Sequence, residues 1–202
     1  MPFGTADGQF MFATVVFQGA GASSDFIQVP TGWTELAQTG CGTDYRQSIS
    51  YRIASGDVWP TSAYIWNFCT SNTSCPGANS VNVYGTGSIV NFADVSTTSP
   101  IQTGTGAPEC NCGFGTTATA NGITPTVANS LVIAQDGAVG NVSLSAPVGL
   151  TNIFVHGNSI GPDNRNSWGV LPASPTGAVS SNYGTGSASD NIGCLISVNP
   201  GP

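Results

Sequence analysis

The chain has 202 residues, only 6% of them charged, and a formal net charge of −7 at pH 7. Ordinary soluble domains carry roughly 25% charged residues, so hydroxyl and amide groups must supply most of the polar surface. The three cations, Arg46, Arg52 and Arg165, are scattered, and this excludes nucleic acid and anionic membranes because both require clustered positive charge. No run approaches the roughly 20 apolar residues that span a bilayer.

The first predicted elements are short strands separated by turn residues. Residues 10–17 are apolar at both alternating sets of positions, which is typical of a strand buried on both faces. A tight corner, Pro-Thr-Gly-Trp-Thr at residues 30–34, follows, and residues 48–54 then alternate as in a half-exposed strand. Residues 64–68 predict another strand with Tyr64, Trp66 and Phe68 on one face, a pattern that indicates core packing.

Two more strands and a long connector follow. Strands are predicted at residues 81–84 and 89–95, joined by the turn sequence Gly-Thr-Gly at 85–87. Residues 96–122 are rich in Thr, Gly and Ser and predict a connector, which at this length is usually functional or pinned down. No window carries a helical apolar period free of Gly and Pro. The remaining predicted strands are residues 131–134, 142–144, 152–155, 168–171, 178–183 and 192–198.

Three landmarks occur twice in the same order. The apolar run at residue 10 returns at 131, the corner at residue 30 returns at 147 as Pro-Val-Gly-Leu-Thr, and Tyr-Gly-Thr-Gly-Ser at residue 84 returns at 183. The spacing between copies falls from 121 to 117 to 99 residues. We therefore predict one all-β domain, residues 1–202, folded as a two-sheet antiparallel, jelly-roll-like sandwich. Its degenerate half-repeats would span about residues 8–101 and 129–200, joined by a low-complexity connector at 102–128.

The six cysteines are an even number and are compatible with disulfide formation in an oxidising compartment. Cys69 and Cys75 bracket a short polar loop and are the first candidates for a bridge. Cys110 and Cys112 are too close to pair with each other, so each needs a distant partner such as Cys41. Cys194 lies in an apolar run, where a plain core residue is expected. Free buried thiols are the alternative; zinc is disfavoured because no second tight pair and no nearby histidine completes a ligand set.

No arrangement of residues predicts catalysis. The single histidine, His156, stands at a predicted strand end without a G-x-S-x-G nucleophile motif. Glu35 and Glu109 could form a glycosidase pair, but the acidic residues of this chain mostly occupy turn sequences. We expect no enzyme activity, no cofactor and no metal. Trp59, in a predicted loop, is the candidate for contact or adhesion.

The order of several motifs resembles a family of β-sandwich proteins. These are Pro-Thr-Gly-Trp-Thr at 30–34, Tyr-Arg-Ile-Ala at 51–54, Tyr-Ile-Trp at 64–66, Phe-Ala-Asp-Val at 92–95 followed by Pro-Ile at 100–101, and Ala-Asn-Ser-Leu-Val at 128–132. The chain is similar along most of its length to phage tail-fibre, head-fibre and capsid decoration proteins, and to some bacterial secreted or surface proteins. The resemblance implies a sandwich fold in a virion or extracellular setting and carries no catalytic residue.

Two functional hypotheses follow. The first is a structural protein on the exterior of a phage-like particle, a capsid decoration (cement) or fibre component. Its partners would be major capsid or fibre subunits and further copies of itself, with a trimer favoured, and surface glycans are a further class of partner. The second is a secreted carbohydrate-binding or adhesive module. A secreted protein is expected to begin with a signal segment, so the start Met1-Pro2-Phe3 favours the first hypothesis.

Overall fold

The computed structural model describes residues 1–19, 21–22, 25–57, 62–69, 84–103, 108–140, 149–156, 161–171, 179–182 and 188–202, which contain β-strands and no α-helix. The strands are β1 Phe10–Gln18, β2 Phe26–Gln28, β3 Thr34–Cys41, β4 Tyr45–Ile53, β5 Asn67–Cys69, β6 Tyr84–Phe92, β7 Glu109–Gly115, β8 Thr117–Ala120, β9 Ser130–Ala138, β10 Thr151–His156, β11 Asp163–Leu171, β12 Val179–Asn182 and β13 Ser189–Val198. The predicted all-β class is confirmed.

Each half of the chain builds one antiparallel sheet. The first sheet has the strand order β3-β4-β1-β6, and the second has β10-β11-β9-β13-β7. The inner faces of both sheets contribute to one apolar core, in which Phe10, Phe12 and Ile49 of the first sheet lie in the same cluster as Ile133 and Ile196 of the second. Burial of both inner faces in one core makes the fold a two-sheet sandwich, as the strand pattern predicts.

The two sheets repeat one strand plan. In the first sheet β1 lies between β4 and β6, and β3 lies beyond β4; in the second, β9 lies between β11 and β13, and β10 lies beyond β11. The register agrees as well, because Phe10 pairs with Ile53 and Phe92 while Leu131 pairs with Val170 and Val198. Leu131 therefore takes the place of Phe10, and the second sheet adds β7 beyond its copy of the plan.

Cover on the outer faces explains the long apolar runs of the central strands, β1 and β9. Met11 and Ala13 of β1 point away from the sandwich core and are covered by Trp33, which is only 6% exposed. At the corresponding place on β9, Val132 and Ala134 pack in one cluster with Leu150. Strands covered on both faces bury most of their side chains, which favours apolar residues on both faces, and residues 10–17 are accordingly apolar apart from the buried Thr14.

Glycines with nearly the same φ angle precede the two covering side chains, Trp33 and Leu150. Gly32 and Gly149 have positive φ angles of 83° and 84°, each one residue before the covering side chain. This left-handed conformation favours glycine because a Cβ would meet the following carbonyl oxygen. The repeated corner predicted from the sequence thus recurs in the φ angle of its glycine.

The repeated pentapeptide, in contrast, is not a structural repeat. Tyr84 is the first residue of β6 and pairs with Gln18, whereas the corresponding residue in the second sheet is Asp190, which bonds to Val139. The second pentapeptide, residues 183–187, precedes β13 and lies outside the described residues. The predicted turn at residues 85–87 is also wrong, because β6 continues without interruption through them. Gly85 and Gly87 serve instead as positions where other side chains approach the sheet closely.

The predicted connector is wrong in its central part. Residues 96–122 and 102–128 contain β7, which is the edge strand of the second sheet, and β8, which pairs with β12. β8 lies against the outer face of the second sheet, since a Cβ on Gly193 would be 2.7 Å from the Thr119 carbonyl carbon. A Thr- and Gly-rich composition concealed both strands because their pairing does not depend on a long apolar run.

Candidate functional site

Two disulfide bonds hold β7 in place. Cys112 of β7 is bonded to Cys41 of β3, so this bridge joins the edge strands of the two sheets. Cys110 is bonded to Cys194, its register partner on β13. The expectation that Cys41 serves as a distant partner of the C-x-C pair is confirmed. Disulfides of this kind fit an extracellular or secreted protein.

The expectation for Cys194 is wrong in one respect. Its side chain is fully buried, as the apolar run predicts, but it forms a disulfide and is not a plain core residue. A buried disulfide is itself apolar, so the sequence pattern does not distinguish the two states. Cys69 is also disulfide-bonded, and its predicted partner Cys75 lies outside the described residues.

Every residue of the β7 edge, residues 109–115, is partly buried or exposed. Among the described strands β7 pairs with β13 alone, so its opposite edge carries no strand. Phe114 is 76% exposed at this edge, and Cys112 is exposed as well. An edge strand with unpaired backbone groups and an exposed aromatic residue is a template for contact with another chain.

A pocket of about 390 Å³ opens at the same side of the sandwich, between β3 and the segment after β6. Glu35 is part of its lining, together with Tyr51, Ile101 and Pro108. Glu109 follows Pro108 directly, but on β7 it pairs in register with Leu195 and does not line the pocket. The two carboxylates suggested as a glycosidase pair therefore do not share this pocket.

An aromatic cluster covers the outer face of the first sheet. Trp33 makes edge-to-face contacts with Tyr64 and Trp66, each with ring centroids 5.2 Å apart. The predicted alternation of residues 64–68 is confirmed, since Tyr64, Trp66 and Phe68 are partly buried and Ile65 and Asn67 are exposed. The predicted strand is shorter, because only Asn67–Cys69 is strand, and these aromatic rings cover the sheet from outside and do not lie between the sheets.

The phenol of Tyr64 is held by an ion pair. Its hydroxyl donates a hydrogen bond to Asp57, whose carboxylate lies 3.4 Å from Nε of Arg52. The guanidinium carbon of Arg52 lies 5.9 Å from the centre of the Tyr64 ring, a cation–π contact. The backbone N–H of Ser55 also donates to Asp57, at 2.9 Å. The ring is therefore fixed at its hydroxyl, at its edges and over one face.

Both titratable partners of this network have shifted pKa values. Burial and the hydrogen bond to the Asp57 carboxylate raise the pKa of Tyr64 to about 12. Burial alone would raise the pKa of Asp57, but the bonds from Tyr64 and the Ser55 N–H and the charge of Arg52 hold it below its usual range. At neutral pH the phenol is thus protonated and the carboxylate ionised, which is the pair of states that the hydrogen bond requires.

A groove of about 450 Å³ runs beside Tyr64 on the outer surface of this cover. It lies between the chain around β2 and the antiparallel segment that leads into β5, where Gln28 pairs with Asn67. The amide of Asn67 donates to the Gln28 side-chain oxygen at 3.0 Å. Its lining residues are Gln28, Val29, Pro30, Thr31, Ala63, Tyr64, Ile65 and Asn67. The sequence-predicted contact residue, Trp59, lies outside the described residues, two positions after Asp57.

The described residues show no further group with evident chemistry. His156 ends β10, where its backbone pairs with Asn164, and nothing is described of its side chain. Within the described ranges no three His, Cys, Asp or Glu side chains are placed to hold a metal ion, and no helix is long and apolar enough to cross a membrane. Comparisons with family models, curated proteins and solved structures found no match for the chain.

Sequence reasoning missed the groove and the network behind it. The residues involved are distant in the chain or lie outside the strands. Gln28 and Asn67 are 39 positions apart, and Asp57 lies in a loop. One signal was present. The glycines at 85 and 87 stand opposite Phe17 and Val15 on β1, and their small size leaves room for an aromatic cover above the sheet.

Proposed function

We propose that the protein is an outward-facing structural protein of a phage-like particle, a capsid decoration or fibre component that acts through protein–protein contacts. The Cys41–Cys112 bond carries the proposal, because it joins the edge strands of both sheets and fits a protein that leaves the reducing cytosol. The ordered motifs at residues 30–34, 51–54, 64–66, 92–95 and 128–132 support it by their resemblance to such proteins.

The surface chemistry supports contact with other proteins. Only 6% of residues are charged, so few ions would need to lose water when the surface is buried. The acidic balance, −7 overall, suits the exterior of a particle better than contact with packaged DNA, which requires cations. The partners would be major capsid or fibre subunits and further copies of this chain in a symmetric oligomer, with a trimer favoured.

The β7 edge is the contact surface that this proposal uses. Disulfides fix β7 on both sides, so its backbone is already ordered, and ordering costs little on binding. Phe114 is the exposed anchor. Aromatic side chains that become buried in an interface commonly contribute more than their neighbours.

The test combines particle composition with assembly. Mass spectrometry of purified particles should find this chain, with the peptide that contains Cys110 and Cys112 joined to those of Cys41 and Cys194 before reduction. Light scattering of the purified protein should show an oligomer that Phe114→Ser converts to monomer, while Phe3→Ser, at a residue 87% exposed, leaves it intact. Absence of the chain from particles, with the protein found free in the medium, overturns the proposal; an oligomer unaffected by Phe114→Ser overturns the role of the β7 edge.

A further inference from the structure

The groove beside Tyr64 has a composition that restricts its ligand. None of its lining residues within the described part of the chain carries a formal charge. Gln28, Thr31 and Asn67 bring amide and hydroxyl groups, and Val29, Pro30 and Ile65 bring apolar surface. Behind Tyr64 lies Arg52, the one cation near the groove among the described side chains, and it is already paired with Asp57. A charged ligand would lose water without gaining a counter-ion here, so the ligand that fits is neutral.

The polar groups of the groove can both donate and accept hydrogen bonds. The bond from Asn67 to Gln28 uses one of the two N–H groups of the Asn67 amide and one lone pair of the Gln28 oxygen. The pair therefore keeps N–H donors and carbonyl acceptors on an exposed surface. Adjacent donors and acceptors of this kind suit a ligand whose hydroxyl groups serve both roles.

The apolar side of the groove is rigid and partly exposed. Ile65 is 69% exposed, although a side chain of its size is usually buried. Tyr64 is fixed by its contacts with Trp33, Trp66 and Arg52 and by its bond to Asp57. A ring that is immobile before binding loses little conformational entropy when a ligand packs against it. The volume also lies within the range of about 300–1,000 Å³ that is common for small-molecule sites.

We propose that this groove binds a neutral carbohydrate, whose C–H surfaces pack on Tyr64 and Ile65 and whose hydroxyl groups bond to the amides of Gln28 and Asn67. This site is on the outer face of the first sheet and does not involve the β7 edge. It goes beyond the proposed structural role, because it gives the protein a means of attachment to sugar-coated surfaces whether or not it belongs to a particle.

Saturation-transfer NMR tests this with the intact, oxidised protein. The probes are maltose, cellobiose and lactose as neutral sugars, sialyllactose as a charged sugar, and a short extended peptide, all at millimolar concentration. At least one neutral sugar should bind, and binding should fall about tenfold in Asn67→Ala and in Ile65→Ser, which corresponds to loss of roughly one net hydrogen bond or an equal apolar contact. Both positions are exposed, so both variants should fold.

Phe3→Ser is the matched control, because it also removes an exposed apolar side chain but lies outside the groove and outside the β7 edge, and it should leave sugar binding unchanged. The proposal is overturned if no neutral sugar gives saturation transfer, if the charged sugar or the peptide alone binds, or if Asn67→Ala and Ile65→Ser bind as the unmodified protein does. None of these outcomes bears on whether the chain is found in particles, so the two proposals can fail separately.

Discussion

At the two corners, the glycines that precede Trp33 and Leu150 have nearly the same φ but lie in different environments. Gly32 and Gly149 differ by one degree in φ, yet the first corner places Trp33 under an aromatic cover and the second places Leu150 against small aliphatic side chains. The guanidinium of Arg52 lies against Gly32, whereas no atom of the described residues lies within 4 Å of the Cβ position of Gly149. Duplication therefore preserved the φ angle of the glycine, and the groove with its ion pair is found at the first corner alone among the described residues.

The largest expected difference between the two corners is in how much Trp33 and Leu150 contribute to the free energy of unfolding. Trp33→Ala removes a nearly buried indole and its contacts with Tyr64 and Trp66, so the free energy of unfolding should fall by about 3–5 kcal/mol. Leu150→Ala removes a smaller, half-buried side chain and should cost about 2 kcal/mol. Urea unfolding of the oxidised protein measures both. Equal losses would contradict the claim that the first corner is the more strongly packed of the two.

The duplication itself could be predicted because its causes are local. The run at residues 10–17 is apolar on both alternating sets of positions, apart from Thr14, because both faces of β1 are covered, and the corner needs glycine because of its positive φ. β7 could not be predicted in this way. Its sequence, Glu-Cys-Asn-Cys-Gly-Phe-Gly, shows no apolar alternation, and the strand depends on pairing with β13 and on bonds to Cys41 and Cys194.

Glycine was misleading in β6 for a related reason. Gly85 and Gly87 suggested a turn, but a Cβ on Gly85 would be 3.4 Å from the Phe68 ring, and one on Gly87 would be 3.3 Å from Val15 Cγ2. Gly85 is therefore small where the Phe68 ring of the aromatic cover approaches the strand, and Gly87 is small where it faces its cross-strand partner Val15. The contacts of the groove were equally inaccessible to sequence reasoning, because a hydrogen bond such as Asn67 to Gln28 depends on how the cover segment crosses the sheet.

Alanine substitutions at the two corner glycines distinguish the energetic cost of a strained backbone conformation from the added cost of a clash with a neighbouring side chain. Gly149→Ala places a Cβ in open space at positive φ and should cost about 1–2 kcal/mol from the backbone alone. Gly32→Ala adds a Cβ 2.2 Å from Nη1 of Arg52, so the guanidinium must move away from Tyr64 and Asp57, and the total should reach about 2–3 kcal/mol. Chemical denaturation of the two variants checks the difference. A larger loss in Gly149→Ala would show that Arg52 adds nothing at the first corner.

The smallest expected effect is electrostatic and concerns Asp57, the residue that holds Tyr64. Asp57→Asn keeps the shape of the side chain but removes its charge, so the Arg52 ion pair is lost and the bond from Tyr64 weakens; at neutral pH the cost should be about 1 kcal/mol. Because the pKa of Asp57 is lowered from 3.8, its contribution is present above that value and disappears as the pH falls through the folded pKa.

At alkaline pH the stability changes in the opposite direction, since it falls as the pH rises. The pKa of Tyr64 is raised from 10.0 to about 12, so its protonated form stabilises the fold below pH 10, and this contribution is lost as the pH rises toward 12.

Unfolding midpoints measured across both pH ranges should show both losses of stability in the unmodified protein. In Asp57→Asn the acid loss from this residue should be absent and the alkaline loss reduced, since burial alone then raises the pKa of Tyr64. Leu150→Ala, which carries no charge change, serves as the control and should shift the midpoint equally at every pH. Parallel pH profiles for Asp57→Asn and the unmodified protein would mean that the ion pair does not hold Tyr64 in solution, and the first corner would then differ from the second by aromatic packing alone.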